Sequence, residues 1–187
     1  MQKRSHLHLA KALMHRSRPF GPRRCEMAFL LGSVQPDCNP LSYIKGSFSA
    51  RAFQGHCYSN SAHYIASHMA RLRRRRRWTL WQYYTLGKLT HYLADAFTSP
   101  HNRDFSGGLA AHRRYEAELR RRLSALLAGS FWPSPPVRHC PAPHAAIAAL
   151  HRQYMADDVG FSRDLTYILQ ATALLMDTCR PYGEAVS

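Results

Sequence analysis

The sequence predicts an all-α fold, built as a compact multi-helix single domain over residues 1–187. Its length lies within the roughly 100 to 200 residues that one hydrophobic core commonly serves. Apolar residues recur at helical spacing along most of the chain. In addition, two histidines, His91 and His112, are each followed four residues later by an acid, Asp95 and Glu116. That spacing places each pair on one helical face, and we expect both pairs between central helices.

The N-terminal third predicts one helix followed by less regular chain. Ser5 suits the N-cap of a helix over 5–15, whose apolar residues follow a helical period. A second apolar run ends at Gly32. Asp37 lies between two prolines, so we expect it in turn-rich chain, where Asp often hydrogen-bonds its own backbone. Residues 41–54 show no clean period and are predicted to form a loop.

Five further helices are predicted, over 61–75, 79–97, 109–127, 144–156 and 161–179. The helix over 79–97 is apolar on nearly every side, which is typical of a buried central helix. A buried carboxylate without a partner is costly, so Asp95 needs a partner, and a metal ion is the natural one. In the helix over 109–127, His112 and Glu116 share the apolar stripe and should also point inward.

His101 lies in a turn-like segment between the two pairs. Helix, loop and helix would then offer imidazole nitrogens and carboxylate oxygens, which Zn²⁺ binds at roughly 2.0 to 2.2 Å. The sequence therefore predicts a zinc cluster between the central helices. By contrast, His151 and Asp164 belong to no convincing constellation.

The chain is strongly basic, with 26 Lys and Arg, 11 Asp and Glu, and a formal charge of +15. Such a charge favours polyanionic partners, either an anionic membrane contacted peripherally or nucleic acid. The most basic segment, 71–77, is usually a solvated helix end; contact with phosphates is the alternative. Charge alone leaves both partners open.

The cysteine content, the apolar runs and the absence of some catalytic motifs limit the cellular location and the chemistry that we expect. Five cysteines without a C-x-x-C spacing favour a reducing compartment. The N-terminus has no apolar signal core, and no apolar run approaches the roughly 20 residues of a membrane span. We therefore expect a cytoplasmic protein without a transmembrane segment. No phosphate-cradling glycine loop and no Ser/His/Asp or Cys/His nucleophile signature is present.

Six short blocks together resemble the zinc-dependent phospholipase C family, most closely its small bacterial members. In chain order they are Ser5-His6-Leu7, Gly32 to Asp37, Gly55 to Tyr58, His91 to Asp95, Pro100-His101-Asn102 and His112 to Glu116. They cover the chain from its N-terminus to about residue 125. The resemblance implies an all-α fold with a trinuclear zinc site, which this family shares with the single-strand nuclease superfamily.

The resemblance also implies zinc ligands, position by position. For one zinc they are Asp37, His56, His91 and Asp95, and for a second zinc they are His101, His112 and Glu116. Asp95 would bridge to a third zinc, held also by His6 and the terminal amino group. In the family that terminal residue is a tryptophan well upstream of the histidine, whereas here Met1 stands five residues before His6. We expect two zinc ions, and the third depends on Met1.

The reaction implied by the resemblance is phosphodiester hydrolysis, with phospholipid as the first expected substrate. Zinc lowers the pKa of bound water toward about 7, so a metal-bound hydroxide could attack the phosphate. Asp37 is the catalytic candidate, orienting or deprotonating that water. One alternative is a single-strand nuclease or nucleotidase that uses the same cluster on nucleic acid. Another is a non-catalytic helical zinc-binding module, although a surplus of nitrogen and oxygen ligands favours catalysis.

Overall fold

The computed structural model describes residues 1–17, 19–38, 58–102, 105, 107–129, 132 and 142–179. Within these ranges the chain forms seven α-helices and no strand, so the predicted all-α class is confirmed. The helices are α1 Lys3–Arg16, α2 Arg23–Cys38, α3 Tyr58–Arg73, α4 Leu80–Ala96, α5 Leu109–Ala128, α6 Pro143–Ala156 and α7 Phe161–Cys179. A short 3₁₀ turn, Ser99–His101, follows α4.

Helix α4 lies at the centre and packs against α1, α2, α3 and α7. Its first turn is fixed by a capping box between Thr79 and Gln82, in which the Thr79 amide donates to Gln82 Oε1 at 2.9 Å. Leu86, Leu89 and Leu93 are fully buried. The predicted helix over 79–97 therefore agrees with the structure in both position and burial.

Two glycines let α2 and α4 pack backbone against backbone. A Cβ atom on Gly32 would lie 2.1 Å from the Tyr84 carbonyl oxygen, and one on Gly87 would lie 2.1 Å from the Phe29 carbonyl oxygen. Only glycine allows such an approach. The close contact brings the Ser33 carbonyl oxygen to 2.9 Å from His91 Nδ1.

This packing corrects two expectations about α2. The apolar run that ends at Gly32 was expected in less regular chain, but it belongs to a helix that continues to Cys38 with Pro36 inside it. Asp37 consequently lies in the last helical turn and not in irregular chain. The physical reason is that Gly32 serves the close contact with α4, and Pro36 removes only its own backbone donor without ending the helix.

The predicted starts of two other helices were also wrong. Helix α1 begins at Lys3 with Gln2 as its N-cap, and Ser5 is buried inside its first turn. Helix α3 begins at Tyr58, before the predicted cap. In α1, packing of the first turn against the core overrides the capping preference of Ser5.

Some predictions fall outside the described residues. These are the loop over 41–54 and His56. Among the helices that are described, none has the length and apolar character needed to cross a bilayer.

Candidate metal centre

His6, His91 and Asp95 form a first cluster, called the buried group here because all three side chains are inaccessible to solvent. His6 comes from α1, and the other two are one turn apart on α4. The Nε2 atoms of His6 and His91 each lie 3.2 Å from a different oxygen of Asp95, Oδ1 and Oδ2 respectively. The two imidazole rings stack with centroids 3.8 Å apart.

A second cluster, the outer group, consists of His101, His112 and Glu116 and is half-buried. His101 lies on the 3₁₀ turn, and the other two are one turn apart on α5. Glu116 Oε1 lies 3.1 Å from His112 Nε2 and 3.3 Å from His101 Nε2. His112, with 23% of its side chain exposed, marks the side on which the centre opens to solvent.

Asp95 and the Met1 amino group connect the two clusters. Asp95 Oδ1 lies 3.7 Å from His101 Nε2 and accepts a hydrogen bond from the Met1 ammonium. That ammonium also lies 3.1 Å from Glu116 Oε1. Burial lowers the pKa of the Met1 amino group, but the Asp95 and Glu116 carboxylates outweigh it and raise the pKa to about 10. A cation is therefore strongly favoured between the two groups.

Asp37 reaches the same centre from the last turn of α2. Its Oδ1 lies 3.6 Å from His91 Nε2, and its Oδ2 lies 4.0 Å from His6 Nε2. With 16% of its side chain exposed, it is more accessible than Asp95. The structure thus brings together seven of the eight predicted ligands, while His56 lies outside the described residues.

The orientation of His91 is fixed by its second ring nitrogen. A carbonyl oxygen can only accept, so Nδ1 donates its proton to Ser33. Nε2 then presents its lone pair to the carboxylates of Asp95 and Asp37. Metal-binding histidines typically show this pattern, with the outer nitrogen tied to a backbone carbonyl.

The electrostatics favour the neutral form of His6 and His101 and the ionised form of Asp95. Burial, and then His91, lower the pKa of His6 to about 3, and burial lowers the pKa of His101. For Asp95, burial raises the pKa, but Met1, His101 and His6 together hold it well below its usual value.

Burial likewise raises the pKa of Glu116, yet hydrogen bonds from His101 and His112 bring it far below normal. Neutral imidazoles and ionised carboxylates are the states that bind metal ions.

The spacing of these atoms fits zinc. Two ligands on a tetrahedral zinc with bonds near 2.1 Å lie about 3.4 Å apart. The separations between histidine nitrogens and carboxylate oxygens here run from 3.1 Å between His112 and Glu116 to 4.0 Å between His6 and Asp37. Among the described residues, neither ring nitrogen of the buried His6 has a hydrogen bond of normal geometry. An imidazole that is both buried and unsatisfied in this way fits a metal ligand.

Two features of this centre were missed by sequence reasoning. The Ser33 carbonyl leaves no sequence signature, because every residue has one. Asp164 is fully buried and accepts hydrogen bonds from Ser99 and Tyr115, close in sequence to His101 and Glu116. The sequence feature that could have identified Asp164 is its position as an acid on the apolar stripe of α7. Acids are common in the first turn of a helix, so this position did not stand out.

Comparison with known proteins gives one match. A family model described as zinc dependent phospholipase C matches residues 5–157. No curated protein and no solved structure matches the chain at a significant level. The matched range includes every residue from His6 to Glu116 discussed above and ends before α7.

Proposed function

Because this chain belongs to the zinc-dependent phospholipase C family, we propose that it hydrolyses phospholipid between glycerol and phosphate, using zinc held by the buried and outer groups. The observation that carries the proposal is Asp95. Its two oxygens face different partners, Oδ2 toward His91 and Oδ1 toward His6. A carboxylate whose two oxygens face different histidines could bind two ions, which supports a cluster of ions and not one isolated site.

The ligands divide among the ions as follows. Asp37, His91 and Asp95 would hold the first zinc, joined by His56, and His101, His112 and Glu116 would hold the second. A third ion would use Asp95 Oδ1 and His6, on the side where the Met1 ammonium now lies. These residues supply three carboxylates, so two or three divalent ions leave the centre positively charged, which favours an anionic phosphodiester.

When bound, zinc supplies an activated water at neutral pH and polarises the phosphoryl oxygens. The chain's own contribution is to orient that water and to accept its proton. We assign the proton to a carboxylate oxygen of Asp37, which lies at the accessible edge of the buried group. His112 and Glu116 line the opening through which a phosphate would approach.

The decisive test compares substrates on one preparation. Zinc-loaded protein is assayed in parallel on phosphatidylcholine vesicles, a chromogenic phosphocholine diester and single-stranded DNA, with Asp37→Asn as the inactive control. We expect release of phosphocholine that Asp37→Asn abolishes while retaining zinc at the outer group. Cleavage of DNA without phosphocholine release would overturn the lipid proposal, and a protein that binds no zinc would overturn both.

A specific observation favours nucleic acid as the second candidate substrate. A groove of about 580 Å³ lies between α1 and α5 and is lined by Arg4, Leu7, His8, Arg120, Arg121 and Ser124. Arg120 is one helical turn beyond Glu116, so the backbone of a strand bound at the outer group could continue along this groove. The exposed arginines over 73–77 lie at the other end of α4, whose first residue is roughly 16 Å from His91 along the helix.

Two matched double variants separate these basic surfaces. Arg4→Gln with Arg120→Gln removes two charges from the groove, and Arg74→Gln with Arg75→Gln removes two from the distant run. If nucleic acid is a substrate, the groove variant should weaken DNA cleavage about tenfold and flatten its salt dependence, while the distant variant changes little. Equal effects of both variants on DNA cleavage would show that the basic residues attract DNA through the overall charge of the protein and that the groove has no special role.

A further inference from the structure

Asp164 is the acceptor at the centre of a buried hydrogen-bond network. It is fully buried at the start of α7. Four donors converge on its carboxylate: the Ser99 amide at 2.7 Å, the Ser99 hydroxyl at 2.9 Å, the Tyr115 hydroxyl at 3.0 Å and the Tyr154 hydroxyl at 2.9 Å. Each oxygen of Asp164 therefore accepts two hydrogen bonds.

The donors come from the elements that carry the outer group. Ser99 is the first residue of the 3₁₀ turn that ends at His101. Tyr115 directly precedes Glu116 on α5. Turn and helix are separate elements, and both are tied to the same carboxylate, so Asp164 holds fixed the spacing between His101 and Glu116.

Arg163 stabilises the network from its outer side. Its Nη2 donates to the Ser99 hydroxyl at 2.9 Å and lies 3.2 Å from the Tyr154 hydroxyl, and its guanidinium stacks over the Tyr154 ring at 4.1 Å. Burying an acid is costly, and an apolar side chain would fill the same space at lower cost. Four directed hydrogen bonds provide what an apolar contact cannot, a defined orientation of the groups that donate them.

We propose that Asp164 is a positioning residue for the outer metal site, setting the distance between His101 and Glu116 through Ser99 and Tyr115. It lies beyond residue 157, where the family match ends. The inference rests on the proposed zinc centre but not on the reaction or substrate. It predicts a change in metal affinity that is confined to one of the ions.

The first test is Asp164→Asn, which keeps the shape but points an amide donor at groups that are themselves donors. Zinc affinity is measured by competition with a chromogenic chelator, and the outer site by the visible spectrum of the cobalt-substituted protein. We expect one ion to bind about 10 to 100-fold more weakly with an altered cobalt spectrum, while the other ion is unaffected. The control Tyr167→Phe changes another residue of α7 and removes an exposed hydrogen bond to Asp157, and it should bind both ions normally.

A second pair of variants guards against simple misfolding. Tyr115→Phe and Tyr154→Phe each remove one hydroxyl from Asp164, but only Tyr115 adjoins a ligand. We expect weaker binding of the outer ion in Tyr115→Phe and a smaller change in Tyr154→Phe at a similar melting temperature. Unchanged affinity in folded Asp164→Asn or in Tyr115→Phe would reduce Asp164 to a stabilising residue and overturn the inference. Absence of zinc from the wild-type protein would instead overturn the metal centre itself.

Discussion

The buried and outer groups contain the same side-chain types but are held in place by different means. The buried group lies on α1 and α4, and the contact of α4 with α2 through Gly32 and Gly87 is made by backbone atoms. The outer group lies on a three-residue turn and on α5, where only Leu119 and Leu123 are buried. Its geometry depends on side-chain hydrogen bonds. We therefore expect the outer group to lose its ion more readily.

The largest effect is expected from Asp95→Asn, because this residue faces both groups. Neutralising it removes the carboxylate that His6, His91 and His101 share. Zinc affinity should fall by about 100-fold or more for both ions, as measured by chelator competition. The matched control Asp177→Asn breaks only a partly exposed pair with Arg16 and should bind zinc normally. Retention of either ion at full affinity would show that the groups are independent.

Next in size is Gly87→Ala, which tests the backbone contact beneath the buried group. The added methyl would overlap the Phe29 carbonyl and push α2 away from α4. We expect the free energy of unfolding to fall by about 2 kcal/mol, measured by urea denaturation. Gly160→Ala, where the added Cβ meets no atom within 4 Å, is the control and should leave stability nearly unchanged. A stable Gly87→Ala variant would contradict the close packing.

A smaller effect should separate the groups directly. His112→Ala removes a partly exposed ligand, so it should lose about one zinc per chain, measured by elemental analysis, at little cost in melting temperature. His91→Ala leaves the Ser33 carbonyl and Asp95 without their buried partner and should lower both zinc content and melting temperature. An equal decrease in melting temperature in His112→Ala and His91→Ala would show that the outer and buried groups contribute equally to stability.

The smallest expected effect is a pH dependence of the unfolding free energy that arises from His151, close to the outer group. His151 stacks on Tyr58 and donates to Asn102, the residue after His101. Burial lowers the pKa of His151 from 6.5 to about 4. The unfolded chain therefore binds a proton first as pH falls, so the stability contributed by neutral His151 is present above pH 6.5 and is lost toward pH 4.

The measurement is the unfolding free energy of zinc-free wild type and His151→Gln at pH 7 and pH 4.5. Wild type should lose about 1 kcal/mol more than the variant over this interval, after allowing for the partial exposure of His151. Parallel pH profiles would show that His151 has the same pKa in the folded and the unfolded chain.

Local spacing predicted six of the seven described helices and the two His-x-x-x-acid pairs, while His6 and Asp37 were expected only from the family resemblance. The placement of each His-x-x-x-acid pair on one face follows from helical geometry alone. The predicted start of the helix over 79–97 coincides with Thr79, the N-cap of α4. The features that local spacing could not predict are tertiary. The apolar run was expected to end at Gly32, because the sequence does not show that Gly32 contacts α4. For the same reason Asp37 was expected in irregular chain, whereas it lies in the last turn of α2.

Asp164 was missed for a related reason. Its partners Ser99 and Tyr115 are 65 and 49 residues away, so no local pattern connects them. The role of His56 still rests on the resemblance, and it stays a prediction.

Asp164 follows the residues of the candidate metal centre in the chain, and this order has a consequence for biosynthesis. Ribosomes add about 5 to 20 residues per second, and the chain folds as it emerges. The described ligands of the buried group are all synthesised by residue 95, whereas the tie between Ser99 and Asp164 must wait for α7. The side chains proposed for the buried site are therefore synthesised several seconds before Asp164, the residue proposed to position the outer site.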